Sequence, residues 1–133
     1  VDERDQLVEI APDLDRGGRP DPRALVHQGG DRDVPAVALA ADQVLEGAPE
    51  TRYVDLDADE ARTIGVWEHT PGVSTDVEAD EVFVVLAGDA TLEFTDPALP
   101  SVELHAGVIV RLTEGMHTTW TVRETLRKVY IAP

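Results

Sequence analysis

The sequence predicts an all-β domain, built as a sandwich or a barrel. From Val34 onward, short runs rich in β-branched and aromatic residues alternate with turn-forming groups of glycine, proline and aspartate. The runs are numerous and evenly spaced, which is typical of sandwiches and barrels. No segment carries the sustained apolar period of an amphipathic helix.

Nine segments have the length and composition of β-strands. They are Val34–Leu39, Arg52–Leu56, Thr63–His69, Glu81–Ala87, Ala90–Thr95, Val102–His105, Val108–Leu112, Thr118–Arg123 and Leu126–Ile131. Between them, Ala40–Gly47 fits a helical turn and Asp96–Pro100 an irregular turn. Gly88-Asp89 is a two-residue signal for a hairpin turn.

Residues 1–33 differ in composition from the rest of the chain. Asp, Arg, Gly and Pro cluster there in turn-like groups such as DRGGRPDPR and QGGDRD. We interpret 1–33 as an irregular N-terminal extension or arm, and 34–133 as one β-barrel domain. The arm is either loosely ordered or packed along a partner subunit.

The composition excludes several classes of function. The chain has 133 residues and a formal net charge of −16, which argues against binding nucleic acid or an anionic membrane surface. It has no cysteine, so disulfides and cysteine-ligated zinc are excluded. The first residues, VDERDQLVEI, lack the basic and apolar regions of a signal peptide. We expect a cytoplasmic protein.

Both faces of the strand predicted at 81–87 are mostly apolar. Alternation puts Glu81, Phe83 and Val85 on one face, and Val82, Val84 and Leu86 on the other. One face would line the barrel interior, and the other would meet a second sheet or a second subunit. Because an exposed apolar face of this size is unusual on a monomer, we expect a homodimer.

Two glycine-framed segments carry a more specific signal. The first runs from Gly72 to Gly88 and contains Glu81, and the second runs from Gly107 through Gly115 to Trp120. Their spacing resembles the two motifs of the cupin superfamily, small barrels that often hold a metal ion. The resemblance implies a cupin-type jelly-roll barrel in which the side chain of Glu81 points inward.

The chain departs from this family pattern where metal-binding cupins carry histidines. The first two histidines would fall at one of two pairs of positions, Ser74 and Asp76 or Thr75 and Val77. The histidine of the second motif would fall at Thr118, and His117 is one residue early, which on a strand reverses the direction of a side chain. From the resemblance we expect no metal or other cofactor. The alternative is a divalent transition metal held by His69, His117 and Glu81.

A further set of residues resembles a subgroup of small single-domain cupins, related to the ethanolamine-utilisation cupin and more loosely to ureidoglycine aminohydrolase. The set comprises Gly65, Trp67, Glu68, Pro71, Gly72, Asp80, Glu81, Trp120 and the run TLRKVY at 125–130. The resemblance extends from Gly65 to Ile131. It implies the fold and the subgroup, but no particular reaction, because a shared fold does not fix function.

Glu81 is the first candidate for chemistry, because a carboxylate inside a barrel can act as an acid or base, or bind a cationic group. The alternative is a structural acid near the barrel mouth. The predicted ligand pocket combines aromatic and polar side chains: Trp67, His69, Glu81, Phe83, Thr118, Trp120 and Tyr130. The aromatic residues either wall this pocket or fill the core. For the acidic stretch Glu68, Asp76, Glu78 and Asp80, a solvated loop is favoured over a Ca²⁺ or Mg²⁺ site.

Two functions remain open. In the first, the barrel binds a small polar metabolite without the usual metal site. In the second, the protein is an isomerase, lyase or hydrolase with Glu81 as acid or base, with or without a metal. A histidine beside Glu81 in an open cavity would favour the enzyme. A cavity filled by tryptophan and phenylalanine would favour binding or a structural role.

Overall fold

The structure is a computed structural model that describes residues 36–133 and the backbone of residues 7–9 and 25–27. The chain divides into two units, Val1–Val34 and Pro35–Pro133. In the first, β1 (Leu7–Glu9) and β2 (Leu25–His27) pair antiparallel. The predicted arm at 1–33 otherwise lies outside the described residues, so its order and role stay predictions.

The second unit, as far as it is described, is a nine-stranded sheet with a short 3₁₀ turn at Ala41–Gln43. Its strands are β3 (Val37–Ala38), β4 (Val44–Glu46), β5 (Glu50–Ala58), β6 (Thr63–His69), β7 (Gly72–Val77), β8 (Glu81–Asp96), β9 (Ala98–Leu104), β10 (Ile109–Leu112) and β11 (His117–Ala132). No helix in the described part of the chain is long and apolar enough to cross a membrane.

Two strands of 16 residues each, β8 and β11, organise the sheet. They pair with each other, and each then has different neighbours along its two halves. The first half of β8 pairs with β10 and its second half with β9. The first half of β11 pairs with β7 and its second half with β6. The sheet thereby curls into a jelly-roll barrel, which confirms the predicted fold class.

The hairpin turn predicted at Gly88-Asp89 is wrong, because β8 continues through these residues. Gly88 has a φ of +107°, and a Cβ there would lie 2.4 Å from the carbonyl oxygen of Thr125. The register between β8 and β11 shifts nearby, between Val122 and Glu124, as at a β-bulge. The glycine therefore permits a close strand approach where β8 bends. On the partner strand, the two segments predicted around the bulge are one strand, β11.

Three other segments differ from the prediction. β7 was not predicted, because its sequence GVSTDV is largely polar and its strand structure depends on pairing with β11. The predicted helical turn at 40–47 is confined to the 3₁₀ turn and is followed by β4. The predicted turn at 96–100 is shorter, and β9 begins at Ala98.

The core lies on the inner face of the curled sheet, where large apolar side chains are fully buried. These are Phe83, Leu92, Leu104, Leu112 and Leu126. Each such side chain contributes about 1.5–3 kcal/mol of transfer free energy. On β8, Phe83 and Val85 are buried on the predicted inner face, with Glu81 beside them. On the outer face, Leu86 is exposed.

Candidate functional site

A cavity of about 450 Å³ opens on the inner side of the barrel, lined by residues of β5, β6, β7, β8, β11 and the β7–β8 connection. Of the residues predicted for the pocket, Trp67, Glu81, Trp120 and Tyr130 line it. Of the others, Phe83 packs against Trp120 and Thr118 supports a cavity-lining carboxyl. His69 lines a smaller cavity of about 210 Å³ that shares Trp67 and Trp120 with the first.

The centre of the site is an ion pair enclosed by aromatic rings. Lys128 Nζ donates a hydrogen bond to Glu81 Oε2 at 2.9 Å. The same nitrogen lies 4.5, 4.4 and 4.9 Å from the ring centroids of Trp67, Phe83 and Trp120, which we call the aromatic cage. Ring faces attract a cation at these distances. Lys128 is only 4% exposed, so its charge depends on Glu81 and the aromatic cage rather than on water.

The strand register explains how the site is assembled. Lys128 on β11 lies opposite Trp67 on β6 and Val85 on β8. Two residues further on, Tyr130 lies opposite Gly65 and Phe83. Cross-strand partners share one face of a sheet, so these side chains converge inside the barrel.

The sequence analysis missed Lys128, although a signal was available. It alternates with Leu126 and Tyr130 along one strand, and all three are buried. Alternate residues of a strand share one face, so a lysine between two core residues points into the core. Such a lysine is expected to need a buried counter-charge. The inward-pointing Glu81 supplies it.

Glu78 forms a second buried polar cluster in the cavity wall. Its Oε1 accepts hydrogen bonds from Thr118 Oγ1 at 2.6 Å and from Trp120 Nε1 at 3.0 Å. Burial raises the pKa of Glu78, and the nearby Asp76 carboxylate raises it further. The two hydrogen bonds and Lys128 act in the opposite direction.

The burial of Glu78 corrects the expectation that the whole acidic stretch is a solvated loop. Asp76 and Asp80 are exposed, but Glu78 is only 9% exposed. The reason lies in the backbone, because Glu78 N donates to Met116 O and Glu78 O accepts from Gly115 N, both at 2.8 Å. This pairing of two connections fixes the residue with its carboxyl turned inward.

His69 is buried and uses both ring nitrogens. Nδ1 lies 2.6 Å from Thr70 O, and Nε2 lies 2.8 Å from Ser74 Oγ. A carbonyl oxygen only accepts, so Nδ1 carries the proton and Nε2 accepts from the serine hydroxyl. Burial lowers the pKa of His69, which favours this neutral form. The histidine thus links the end of β6 to β7.

The residues at the family's metal positions do not fit a transition metal. The hydroxyl of Ser74 bonds to His69, that of Thr118 bonds to Glu78, and Glu81 faces an ammonium. Hydroxyls and an ammonium are unsuited to ions that prefer imidazole, thiolate and carboxylate ligands. His117 is exposed, whereas its neighbour Thr118 is buried. Within the described residues, no group of three or more His, Asp or Glu side chains is placed to hold a metal ion.

Tyr130 is a further residue of the cavity wall. Its hydroxyl donates to Asp55 Oδ1 and approaches Val54 O at 3.3 Å. Burial and the Asp55 carboxylate raise the pKa of Tyr130. The phenol hydroxyl therefore keeps its proton and acts as a hydrogen-bond donor. The hydroxyl fits because Gly65 has no side chain, since a Cβ there would lie 2.2 Å from it.

Comparison with known proteins agrees with the jelly-roll fold. The sequence profile of the EutQ-like cupin domain matches residues 56–130. The chain belongs to the EutQ-like cupin family. No significant match is found among curated proteins.

Solved structures with this fold include several at low sequence identity. The structure assigned to ethanolamine utilization protein Q of Salmonella typhimurium LT2 has 14% identity and a TM-score of 0.61, over 96% of this chain and 94% of that one. EutQ of Clostridium difficile has 17% identity and a TM-score of 0.54, over 71% and 79%. A DMSP lyase structure has 12% identity and a TM-score of 0.53, over 61% and 46%. These likenesses establish the fold of this EutQ-like cupin and leave its ligand open.

Glu81→Gln is expected to destabilise the protein by about 3 kcal/mol, because it leaves a buried ammonium without its counter-charge. Lys128→Met should cost a similar amount for the opposite reason. In the double variant neither charge remains, so its loss should be smaller than the sum of the two. Urea unfolding of the four proteins measures this coupling.

The matched control for this cycle is Asp89→Asn, which breaks the exposed ion pair with Arg123. Water screens that pair, so its loss should have little effect. If Glu81→Gln proves as stable as the original protein, the buried ammonium does not depend on Glu81.

Glu78→Gln is expected to stabilise the protein progressively as the pH rises above the ordinary glutamate value of 4.5. A raised pKa in the folded state means that the protonated form favours folding. This stabilisation is lost as the pH rises through the raised pKa. Glutamine keeps an oxygen for Thr118 and Trp120 without that loss, so the advantage should be absent near pH 4 and present at pH 7.5.

Thermal unfolding between pH 4 and pH 8 measures this difference. Glu93→Gln, at an exposed position of β8, controls for the removal of one negative charge from an acidic protein. A difference between the Glu78→Gln variant and the original protein that is the same at every pH would contradict the assignment.

Proposed function

We propose that this EutQ-like cupin binds a small polar molecule in the barrel cavity without a transition metal. One observation carries the proposal: the cavity of about 450 Å³ combines aromatic walls with the Lys128–Glu81 ion pair. Small-molecule sites typically have this size, with mostly apolar walls and a few fixed polar groups. Cytoplasmic localisation remains a prediction from the sequence.

The geometry supports recognition of a ligand hydroxyl at the ion pair. A hydroxyl can donate to the carboxylate of Glu81 and accept from the ammonium of Lys128 at the same time. Trp67 and Trp120 line the same cavity and offer flat apolar surface to a ligand. Both polar partners are held by packing before the ligand arrives, which lowers the entropic cost of binding.

The enzyme alternative has weaker support. The partner of Glu81 is Lys128 rather than a histidine. The carboxylate that would act as acid or base is therefore already hydrogen-bonded to an ammonium group. The cavity is open, as an enzyme requires, and aromatic side chains form only part of its wall. The likeness to a DMSP lyase structure concerns the fold alone at 12% identity.

Ligand binding is expected to change the intrinsic fluorescence of the protein, because the chain's two tryptophans, Trp67 and Trp120, both line the cavity. Native mass spectrometry of the untagged protein identifies any co-purified molecule. Fluorescence titration with a panel of small polar metabolites then measures affinity. Ala79→Phe narrows the cavity without altering a charge and should abolish the saturable signal, whereas Ala106→Phe, at an exposed site outside the cavity, should not.

Elemental analysis of the same sample tests whether the site is free of a transition metal. A near-stoichiometric transition metal, together with no saturable fluorescence change, would overturn metal-free binding and favour the enzyme alternative.

We also propose that the protein is a homodimer that pairs through the outer face of the β10–β8–β11 region. Ile109 on β10 is 67% exposed and lies opposite Val84 on β8, which lies opposite Val129 on β11. Leu86 and Ile131 are further exposed apolar side chains on these strands. A second copy covering this stripe would remove apolar surface from water.

Ile109→Glu is therefore expected to convert the dimer into a monomer, as measured by size-exclusion chromatography with light scattering. The matched control, Leu45→Glu, adds the same charge at an exposed apolar position on β4, in the other part of the sheet. A monomeric original protein, or equal behaviour of the two variants, would contradict this interface.

A further inference from the structure

The cavity is charged in a way that constrains its ligand. Five carboxyl groups line it, against the one ammonium of Lys128. They belong to Asp55, Asp76, Glu78, Asp80 and Glu81. Because like charges repel and only one ammonium offsets five carboxyl groups, a carboxylate or phosphate would enter against this field.

The aromatic cage is already occupied. Lys128 Nζ lies within 4.4–4.9 Å of its three ring centroids and is hydrogen-bonded to Glu81. A cage of this kind is a common way to bind an ammonium ligand. Here the chain's own lysine fills it, so a ligand cation needs another position in the cavity.

Asp76 and Glu78 provide that position. Asp76 lies opposite Thr118 in the strand pairing, and the Thr118 hydroxyl donates to Glu78, so the two carboxyl groups line the same part of the cavity. Within the described residues, the side-chain hydrogen bonds of Glu78 both reach Oε1, and that of Asp76 reaches Oδ1. One oxygen of each carboxyl therefore keeps its full capacity to accept a hydrogen bond. Glu78 is also nine-tenths buried, so it is poorly served by water.

We propose that the ligand is a small organic cation, and that its ammonium group binds between Asp76 and Glu78 while its hydroxyl or apolar part lies against Trp120. This inference rests on the proposed function and adds the ligand's charge class to it. An ammonium there would donate two charge-assisted hydrogen bonds, one to each carboxylate, and relieve the repulsion between the two carboxyls.

Three compounds with one carbon skeleton test the charge class by tryptophan fluorescence titration. They are 1-amino-2-propanol as the cation, propane-1,2-diol as the neutral compound and lactate as the anion. The amine should bind at least about tenfold more tightly than lactate, with the diol between them, and added salt should weaken the amine.

Variants then locate the ammonium group. Asp76→Asn and Glu78→Gln should each weaken the amine about tenfold and leave the diol nearly unchanged, because only the charged partner is lost. The matched control is Asp57→Asn, an exposed carboxylate outside the cavity, which should change neither. Asp76 is exposed, so its substitution tests the site without changing a buried side chain.

Four outcomes overturn the inference. Lactate binding as tightly as the amine would reverse the charge class, and equal effects of Asp57→Asn and Asp76→Asn would remove the proposed position. If all three compounds fail while another member of the metabolite panel binds, the inference falls and the proposed function stands. If nothing from the panel binds, both fall.

Discussion

An ammonium group buried among aromatic rings requires a carboxylate within hydrogen-bonding distance, and the site is arranged around that requirement. Lys128 is removed from water, and desolvating a lone charge costs far more than the rings alone return. Glu81 lies at the beginning of β8, where the inner face of the strand brings it to Lys128. Trp67, Phe83 and Trp120 come from three different strands to enclose the pair.

Trp120 joins this pair to the second polar cluster. Its ring face lies against Lys128, while its indole N–H donates to Glu78. One side chain therefore contacts a buried cation with its π system and a buried carboxyl with its polar edge, which suits the two ends of an indole. A change at either charged group alters the surroundings of the other through this residue.

The sequence predicts the fold well because the fold depends on local signals. Alternation and turn residues indicate the strands, and β6 has the predicted bounds. Alternation also places Glu81 on the inner face with Phe83. Lys128 follows from the same rule once Leu126 and Tyr130 are taken as core residues.

The position of Glu78 has no such local signal. Its partners Thr118 and Trp120 are about 40 residues away in sequence, and its inward direction depends on backbone pairing with Gly115 and Met116. Gly88 misleads for a related reason. Gly-Asp is a frequent hairpin sequence, but here a glycine is needed because the backbone of Thr125, on a strand distant in sequence, approaches it closely.

The two long strands have a further consequence for how the domain opens. Because β8 and β11 each run through both parts of the barrel, neither part keeps its full set of backbone hydrogen bonds if the other unfolds. The barrel is therefore one cooperative unit. The 3₁₀ turn lies outside these two strands and contributes Gln43 to the wall of the smaller cavity. A rearrangement of that turn would change the smaller cavity without breaking the pairing of β8 with β11.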